Sequence, residues 1–379
     1  VTNQQHNNSN AQKTILHLID TTGPGGAETV FIQLADRLRD KGLRSLVVIR
    51  GEGWVQQQLI KRGLEPIIIP AKGSFAFAFL RSLVLLIRRE QVDLIQSHLL
   101  GSNVYAAIAG LITRTPVVAT YHGMVDVNPD ERFKFLKHAM MKFGIKRYVA
   151  VSRNLLENIR SRKLLDVNRA SVIYNGVDLA RFEGGKPRKL KQTLKLPDNA
   201  ILVGCLGNVR PAKAYDNLIA AGAKLLPQYP ELHFVIAGHK KPDLMAQLDE
   251  QITKLGVNQH FHFLGFVDDS ADFLAQIDIF ALPSSSEGFS IATIEAMAAR
   301  LPIVVTRCGG PEEIVISEEN ALMVQPDDAA AFAHALIRLM EDEPLRKSIA
   351  DAGYSHVNRT FGIEKMVSSY ISEYDKLCQ

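Results

Sequence analysis

With 379 residues, 46% of them hydrophobic and 22% charged, the chain is long enough for two ordinary domains and too apolar to be disordered. Its three cysteines, Cys205, Cys308 and Cys378, lie far apart without metal-ligand spacing, which argues against a disulfide framework and for a reducing compartment, with the cytoplasm as default. The net charge is only +4, but residues 1 to 180 carry 24 Lys and Arg against 14 Asp and Glu, while the remainder carries 20 against 26.

Residues 1 to 12 are polar, rich in Asn and Gln, and lack the apolar core of a secretion signal, so a flexible tail is expected there. From Thr14 onward, strand-like and helical runs alternate. Thr14 to Ile19 reads as a strand, Ala27 to Lys41 as a helix, Ser45 to Ile49 as a strand, Val55 to Arg62 as a helix and Pro66 to Ile69 as a strand. The rhythm continues with a helix over Leu80 to Arg89, a strand over Asp93 to Gln96 and a helix over Val104 to Leu111. Strands then follow at Val117 to Tyr121, Tyr148 to Val151 and Ser171 to Tyr174. Such alternation is that of a parallel sheet covered by helices, and it predicts one doubly wound domain over 13 to 180. The longest apolar run, Phe75 to Ile87, is broken by Arg81 and falls short of the roughly 20 residues that span a bilayer.

Residues 181 to 198 are polar and basic and contain Gly184, Gly185, Pro187 and Pro197, the composition of a linker. A second series of strands follows at Ile201 to Leu206, His233 to Ala237, His260 to Leu264, Ile277 to Leu282 and Ile303 to Thr306. It predicts a second doubly wound domain over 199 to 358. The expected fold is therefore α/β, with two Rossmann-like doubly wound domains facing across a cleft.

The most informative stretch lies between Glu287 and Glu295, two carboxylates bracketing Gly288, Phe289 and Ser290 and then an apolar helix that runs to Ala299. Glu295 sits among residues that read as buried, where a carboxylate is costly unless something polar meets it. The amides of Gly288, Phe289 and Ser290 open that helix without intrahelical partners, and its positive dipole end favours an anion such as a diphosphate. Glu295 lies five residues past Ser290, a rise of roughly 7 Å at about 1.5 Å per residue, so the two carboxylates can flank a diphosphate at the helix start. Each carboxylate can take neighbouring sugar hydroxyls in its plane. A nucleoside-diphosphate sugar offers two rings for two such groups. The alternative is that Glu287 only supports its loop and that Glu295 pairs with Arg300 or another buried cation.

Ligands collect at the carboxyl ends of parallel strands, and further candidates stand there. The first domain offers Gly23-Pro24-Gly25-Gly26 after its first strand, with His98 and His122 after later strands. The second offers Gly207 to Lys213, Gly238, Val267, Glu287 and Gly309-Gly310.

Taken in order, Gly25-Gly26-Ala27-Glu28, Val151-Ser152, Asn175-Gly176-Val177-Asp178, Phe263 to Asp268, Glu287 with Glu295-Ala296-Met297-Ala298, and Gly309 to Val315 resemble the motifs of family four retaining glycosyltransferases of GT-B architecture. The resemblance runs from Thr14 to Tyr374. It implies that the second domain holds the nucleotide sugar, with a UDP-sugar favoured, that the first holds the acceptor, and that the last segment, 359 to 379, crosses back to the first domain. It implies that Glu295 binds the ribose and Glu287 the transferred sugar, with Gly288, Phe289 and Ser290 holding sugar or phosphate and Val267 meeting the base through its backbone. Lys213 matches the lysine that neutralises the leaving diphosphate, His122 the histidine near the sugar's 6-hydroxyl, and Gly25 and Gly26 a loop that approaches the phosphates. The family's arginine five residues before that lysine is replaced by Asn208, and Arg210 is the candidate to reach the same phosphates.

The activity implied is transfer of a hexose or N-acetylhexosamine, with retention, to a hydroxyl of a glycan or lipid-linked glycan in surface polysaccharide or lipopolysaccharide assembly. No metal or other cofactor is expected, since Lys213, Arg210 and the helix amides supply the positive field and no Asp-x-Asp motif is found. The segment 129 to 147 combines Phe and Met with Lys134, Lys137, Lys142, Lys146 and Arg147, which fits either peripheral contact with an anionic inner membrane face or an ordinary amphipathic helix on its own domain. Nucleic acid is not an expected partner, because the basic residues form no aromatic-studded stripe. The rival readings are a nucleotide-sugar epimerase of the same architecture and a non-catalytic sugar- or nucleotide-binding protein.

Overall fold

The computed structural model describes residues 12–71, 76–123, 126, 134–162, 166–184 and 188–378. They fall into two compact units, one within 12–150, 156–173 and 367–378 and the other within 151–155 and 174–366.

The first unit is built on seven parallel strands, β1 (Thr14–Ile19), β2 (Arg44–Ile49), β3 (Ile67–Ile68), β4 (Leu94–His98), β5 (Val117–Tyr121), β6 (Arg147–Ala150) and β7 (Ala170–Val172), in the order β3-β2-β1-β4-β5-β6-β7. Every residue of β1, β4 and β5 is buried, as a parallel sheet covered on both faces requires. The chain reverses its winding direction between β1 and β4, where Ile15 pairs with Leu94 and Ile19 with His98. β4 is longer than the expected Asp93 to Gln96. Gln96, Ser97 and His98 are polar and read as the end of a strand, yet all three are fully buried within it because side-chain partners satisfy them.

The second unit holds β8 (Ile201–Leu206), β9 (Leu232–Ala237), β10 (Phe261–Gly265), β11 (Ile279–Leu282), β12 (Ile303–Thr306) and β13 (Leu322–Val324), all parallel, in the order β10-β9-β8-β11-β12-β13. Its winding reverses between β8 and β11. β13 has only three residues, too few for a periodicity to show, and it carries no counterpart among the expected strands. The core beneath the sheet gathers Val203, Leu218, Phe234, Ile279, Phe332 and Leu336, each almost wholly buried.

Both fold expectations, an α/β class and two doubly wound sheets, hold. Within the stretch expected as a linker, Arg188 bonds Asp278 at 2.6 Å, and the amides of Lys189 and Leu190 donate to Gln276 Oε1 at 2.9 and 2.6 Å. These residues are thereby tied to the second unit, while residues 185 to 187 lie outside the described ones. The final helix, Ile363–Asp375, ends within the first unit: Tyr370 meets Thr120, Glu373 pairs with Arg147 at 2.7 Å, and Lys13 Nζ donates to the Cys378 carbonyl at 3.0 Å. Among the described residues no helix is long and apolar enough to cross a membrane.

Candidate functional site

At the winding reversal of the second unit, the segment after β8 and the segment after β11 lie side by side. After β8 the chain passes Gly207 and Asn208, turns through Pro211–Lys213, and delivers the Lys213 ammonium to Glu287 Oε1 at 2.7 Å. Gly207 makes this possible, since a Cβ there would stand 2.6 Å from Lys213 Cε and 2.9 Å from its Nζ. Ser284, two residues past the end of β11, donates its hydroxyl to the same Glu287 oxygen at 2.7 Å. Lys213 and Glu287 keep only 19% and 14% of their side-chain exposure, so the pair is shielded from water on most sides.

The Glu287 backbone is clamped from β12. Its amide donates to the Cys308 carbonyl at 3.0 Å, and Gly310 donates to its carbonyl at 3.0 Å. Gly310 packs so tightly that a Cβ would lie 2.7 Å from Phe289 Cα. The following helix, Ile291–Ala298, is opened by Ser290, whose hydroxyl accepts from Thr293 N at 3.3 Å. Phe289 is buried and stacks on Tyr174, with centroids 5.7 Å apart. The amides of Gly288, Phe289 and Ser290 make no hydrogen bond among the described residues, which leaves three donors at the positive end of a helix beside the Lys213–Glu287 pair.

Glu295 is buried in the second turn of that helix, as its neighbours predicted. Burial raises its carboxyl above the ordinary range, against the opposing pull of the Ser270 hydroxyl and the Arg181 guanidinium. Ser270 donates to Oε1 at 2.8 Å, and Arg181 stands 3.8 Å away while bonding Asp269 at 2.8 Å. The cation near Glu295 is therefore Arg181. Arg300 instead pairs with Asp351 at 3.2 Å and lies over the Tyr354 ring. Val267 follows β10, three residues before Ser270, so the loop that carries it also carries the hydroxyl on Glu295.

Asn208 accepts from the His239 amide at 2.9 Å and so braces the loops after β8 and β9. Arg210 is exposed at the start of the turn that presents Lys213 and makes no side-chain hydrogen bond or ion pair among the described residues. Arg181, Ser270 and Ser284, which meet the two glutamates, were not singled out from the sequence: lone polar residues on loops carry no spacing signal.

In the first unit the winding reversal lies between β1 and β4. Gly25 caps the helix Gly26–Asp40 after β1, and His98 closes β4. His122 follows β5, its Nε2 2.8 Å from His98 Nδ1, while its backbone amide donates to Asp126 at 2.7 Å. Burial pushes His122 down to about 3 and the Asp126 carboxyl up to about 6.

Residues 24–181 match the sequence profile described as Glycosyltransferase Family 4, and residues 187–356 the one described as Glycosyl transferases group 1. The lipopolysaccharide core biosynthesis mannosyltransferase LpsB of Rhizobium meliloti is 31% identical over 242 residues, 62% of this chain and 68% of that protein. The lipopolysaccharide core biosynthesis glycosyltransferase LpsE of the same organism is 25% identical over 358 residues, 92% of this chain and 95% of that one. Among solved structures, Anabaena HepE in complex with UDP and glucose superposes with a TM-score of 0.87 at 24% identity, covering 97% of this chain and all of the other.

Proposed function

The chain belongs to the glycosyltransferases of group 1 and family four, and we propose that it transfers a hexose or N-acetylhexosamine from a nucleoside-diphosphate sugar to a hydroxyl of a glycan or glycolipid, with retention at the anomeric carbon. The observation that carries this is the Lys213–Glu287 pair set beside three unbonded loop amides, Gly288 to Ser290, that lead into the helix Ile291–Ala298 at the reversal of the second sheet. A diphosphate at those amides receives charge from Lys213, and Glu287 is held by Ser284 to accept from sugar hydroxyls. Glu295 takes the ribose hydroxyls, and the Val267 backbone meets the base. A UDP-sugar is the favoured donor.

Departure of the leaving group is the demanding step. Lys213 and the amides of Gly288 to Ser290 oppose charge growing on the diphosphate, and Arg210, exposed on the same turn, is assigned to the phosphates that Asn208 cannot reach with charge. Preorganised donors of this kind lower barriers by roughly 3–4 kcal/mol each. In this reading no metal ion is needed, no protein nucleophile forms, and a phosphate oxygen takes the acceptor proton as the acceptor attacks the face the diphosphate leaves. His122, Gly25 and Gly26 are assigned to sugar hydroxyl and phosphate contacts.

The setting proposed is lipopolysaccharide or other surface polysaccharide assembly, and the names of the LpsB and LpsE relatives support the first of these. Peripheral contact with an anionic membrane is part of the proposal. Of the segment 129 to 147, residues 129 to 133 lie outside the described ones, but Lys142, Phe143 and Lys146 are exposed together, Phe143 to 69%.

The deciding experiment incubates UDP- and GDP-sugars with the protein, first in water and then with envelope glycolipid extract, and follows nucleoside diphosphate release. Acceptor-dependent release from one donor, undiminished by a chelator, with a retained anomeric configuration by NMR, is the expected result. Conversion of a donor without any acceptor would instead mark an epimerase.

A further inference from the structure

Within the first unit, a buried row of polar side chains leads from the last helix to His122. Tyr374 donates its hydroxyl to Gln96 Oε1 at 3.0 Å. The Gln96 amide nitrogen lies 3.2 Å from the Ser97 carbonyl oxygen, 2.9 Å from Thr120 Oγ1 and 3.2 Å from His98 Nε2. His98 Nδ1 then lies 2.8 Å from His122 Nε2. Gln96, Thr120 and His98 are wholly buried, so their donors and acceptors must match one another without help from water.

That requirement gives the row a direction. A backbone carbonyl only accepts, so the Gln96 group facing Ser97 is its NH2, and the network settles the amide orientation. An amide NH2 only donates, and its two hydrogens are shared among three neighbours; a proton on His98 Nε2 would set donor against donor at 3.2 Å, so that nitrogen bears the lone pair. A neutral imidazole without a proton on Nε2 carries it on Nδ1, the nitrogen that faces His122. Both rings stay neutral at working pH, since burial holds His98 well below 6.5 and His122 at about 3. The ring planes differ by 22° with centroids 5.1 Å apart, while the facing nitrogens are only 2.8 Å apart. The rings therefore meet edge to edge, as an in-plane N–H to N bond requires, rather than face to face.

The geometry points to Gln96 and His98 as positioning residues that lock His122 into the Nδ1–H tautomer, so that it serves a ligand oxygen as a hydrogen-bond donor and not as a base. The tautomer follows from the row alone; its effect on turnover rests on the proposed assignment of His122 to a sugar hydroxyl. Tyr374 anchors the row from the far side, which ties the last helix to the protonation pattern of His122.

Long-range proton–nitrogen NMR of the full chain labelled with 15N-histidine tests this, with His98→Asn and His122→Asn used to assign signals. Both rings are expected as Nδ1–H tautomers. Gln96→Glu sets an acceptor against His98 Nε2, draws the proton there and should invert both rings, with kcat/KM down about 10- to 100-fold, in the range of a lost, well-placed hydrogen bond. Gln96→Met, which removes the donor at nearly constant volume, should leave His98 a mixture and serves if the glutamate variant fails to fold. Native His122 found as the Nε2–H tautomer, or rings unmoved in both folded variants, overturns the relay. Inverted rings with unchanged kcat/KM leave the relay standing and overturn the donor role of His122.

Discussion

Lys213 and Glu287 lie 74 residues apart in the chain and 2.7 Å apart in space, each delivered by a strand on one side of the reversal in the second sheet. Each neutralises the other. A donor diphosphate would draw the ammonium toward phosphate and leave Glu287, still fixed by Ser284, to the sugar.

Lys213→Ala should therefore reduce kcat about 100- to 1000-fold, the cost of one lost donor at a developing anion, and change donor KM much less. Steady-state kinetics with the donor found by the panel checks this, and equal kcat for variant and parent would remove Lys213 from the leaving-group role. Glu287→Gln keeps shape but loses charge, and should also lower kcat while leaving the Ser284 contact in place.

Glu295→Gln separates binding from stability. Affinity for a nucleoside diphosphate should fall about 10- to 100-fold by calorimetry, since charged bonds to ribose hydroxyls become neutral ones. Burial raises this carboxyl, so its ionised form is a cost to the folded state that grows as pH rises through the folded value. The variant should thus melt at the same or a higher temperature than the parent near neutral pH. A lower Tm with intact nucleotide affinity would show Glu295 to be an internal strut for Ser270 and Arg181.

Two glycines predict opposite kinds of damage. Gly207→Ala collides with the flexible end of Lys213 and should cost activity with little loss of stability. Gly310→Ala collides with the Phe289 backbone at 2.7 Å, which cannot swing aside, and should destabilise by about 1–3 kcal/mol. Paired melts and rates distinguish them.

Acid should weaken the first unit. His17 is buried with neither ring nitrogen bonded among the described residues, and burial pushes it to about 3, as it does His122. A histidine whose folded value is depressed binds fewer protons than in the unfolded chain, so stability is full above about pH 6.5 and falls as pH drops toward 3. At pH 5 each such ring costs about 2 kcal/mol. Asp126, raised to about 6, works the other way over the same range and offsets less than one histidine. Thermal melts from pH 7.5 to 4.5 should show His17→Phe less acid-sensitive than the parent.

Anionic vesicles should bind the protein at low salt through Lys142, Phe143 and Lys146, and Phe143→Ser should weaken flotation several-fold. No flotation at low salt would end the membrane proposal.

The alternating sheets and the loop position of Glu287 were readable because long apolar runs and glycine punctuation mark them. The burial of Glu295 was readable from the small and apolar residues on either side. What could not be read were the groups that make buried polarity tolerable: Ser270 and Arg181 around Glu295, Ser284 beside Glu287, and Gln96 beside His98 inside β4. Apart from Ser284, three residues before Glu287, these groups find partners 24 to more than 250 residues away, as Gln96 does in Thr120 and Tyr374, and pairing over such distances leaves no local pattern. β4 shows the physical reason most plainly, because its polar end looks like a strand terminus until the hydroxyls and imidazoles that satisfy it are in place.

The bond from Lys13 to the Cys378 carbonyl sets the start of β1 beside the finish of the last helix. A circularly permuted gene that splices that helix ahead of β1 would encode the first unit's sheet and its Tyr370 and Tyr374 braces without a break at this seam. The same expression unit cut short of the helix would open Gln96 Oε1, and the apolar surface that Tyr370 and Tyr374 cover, to water.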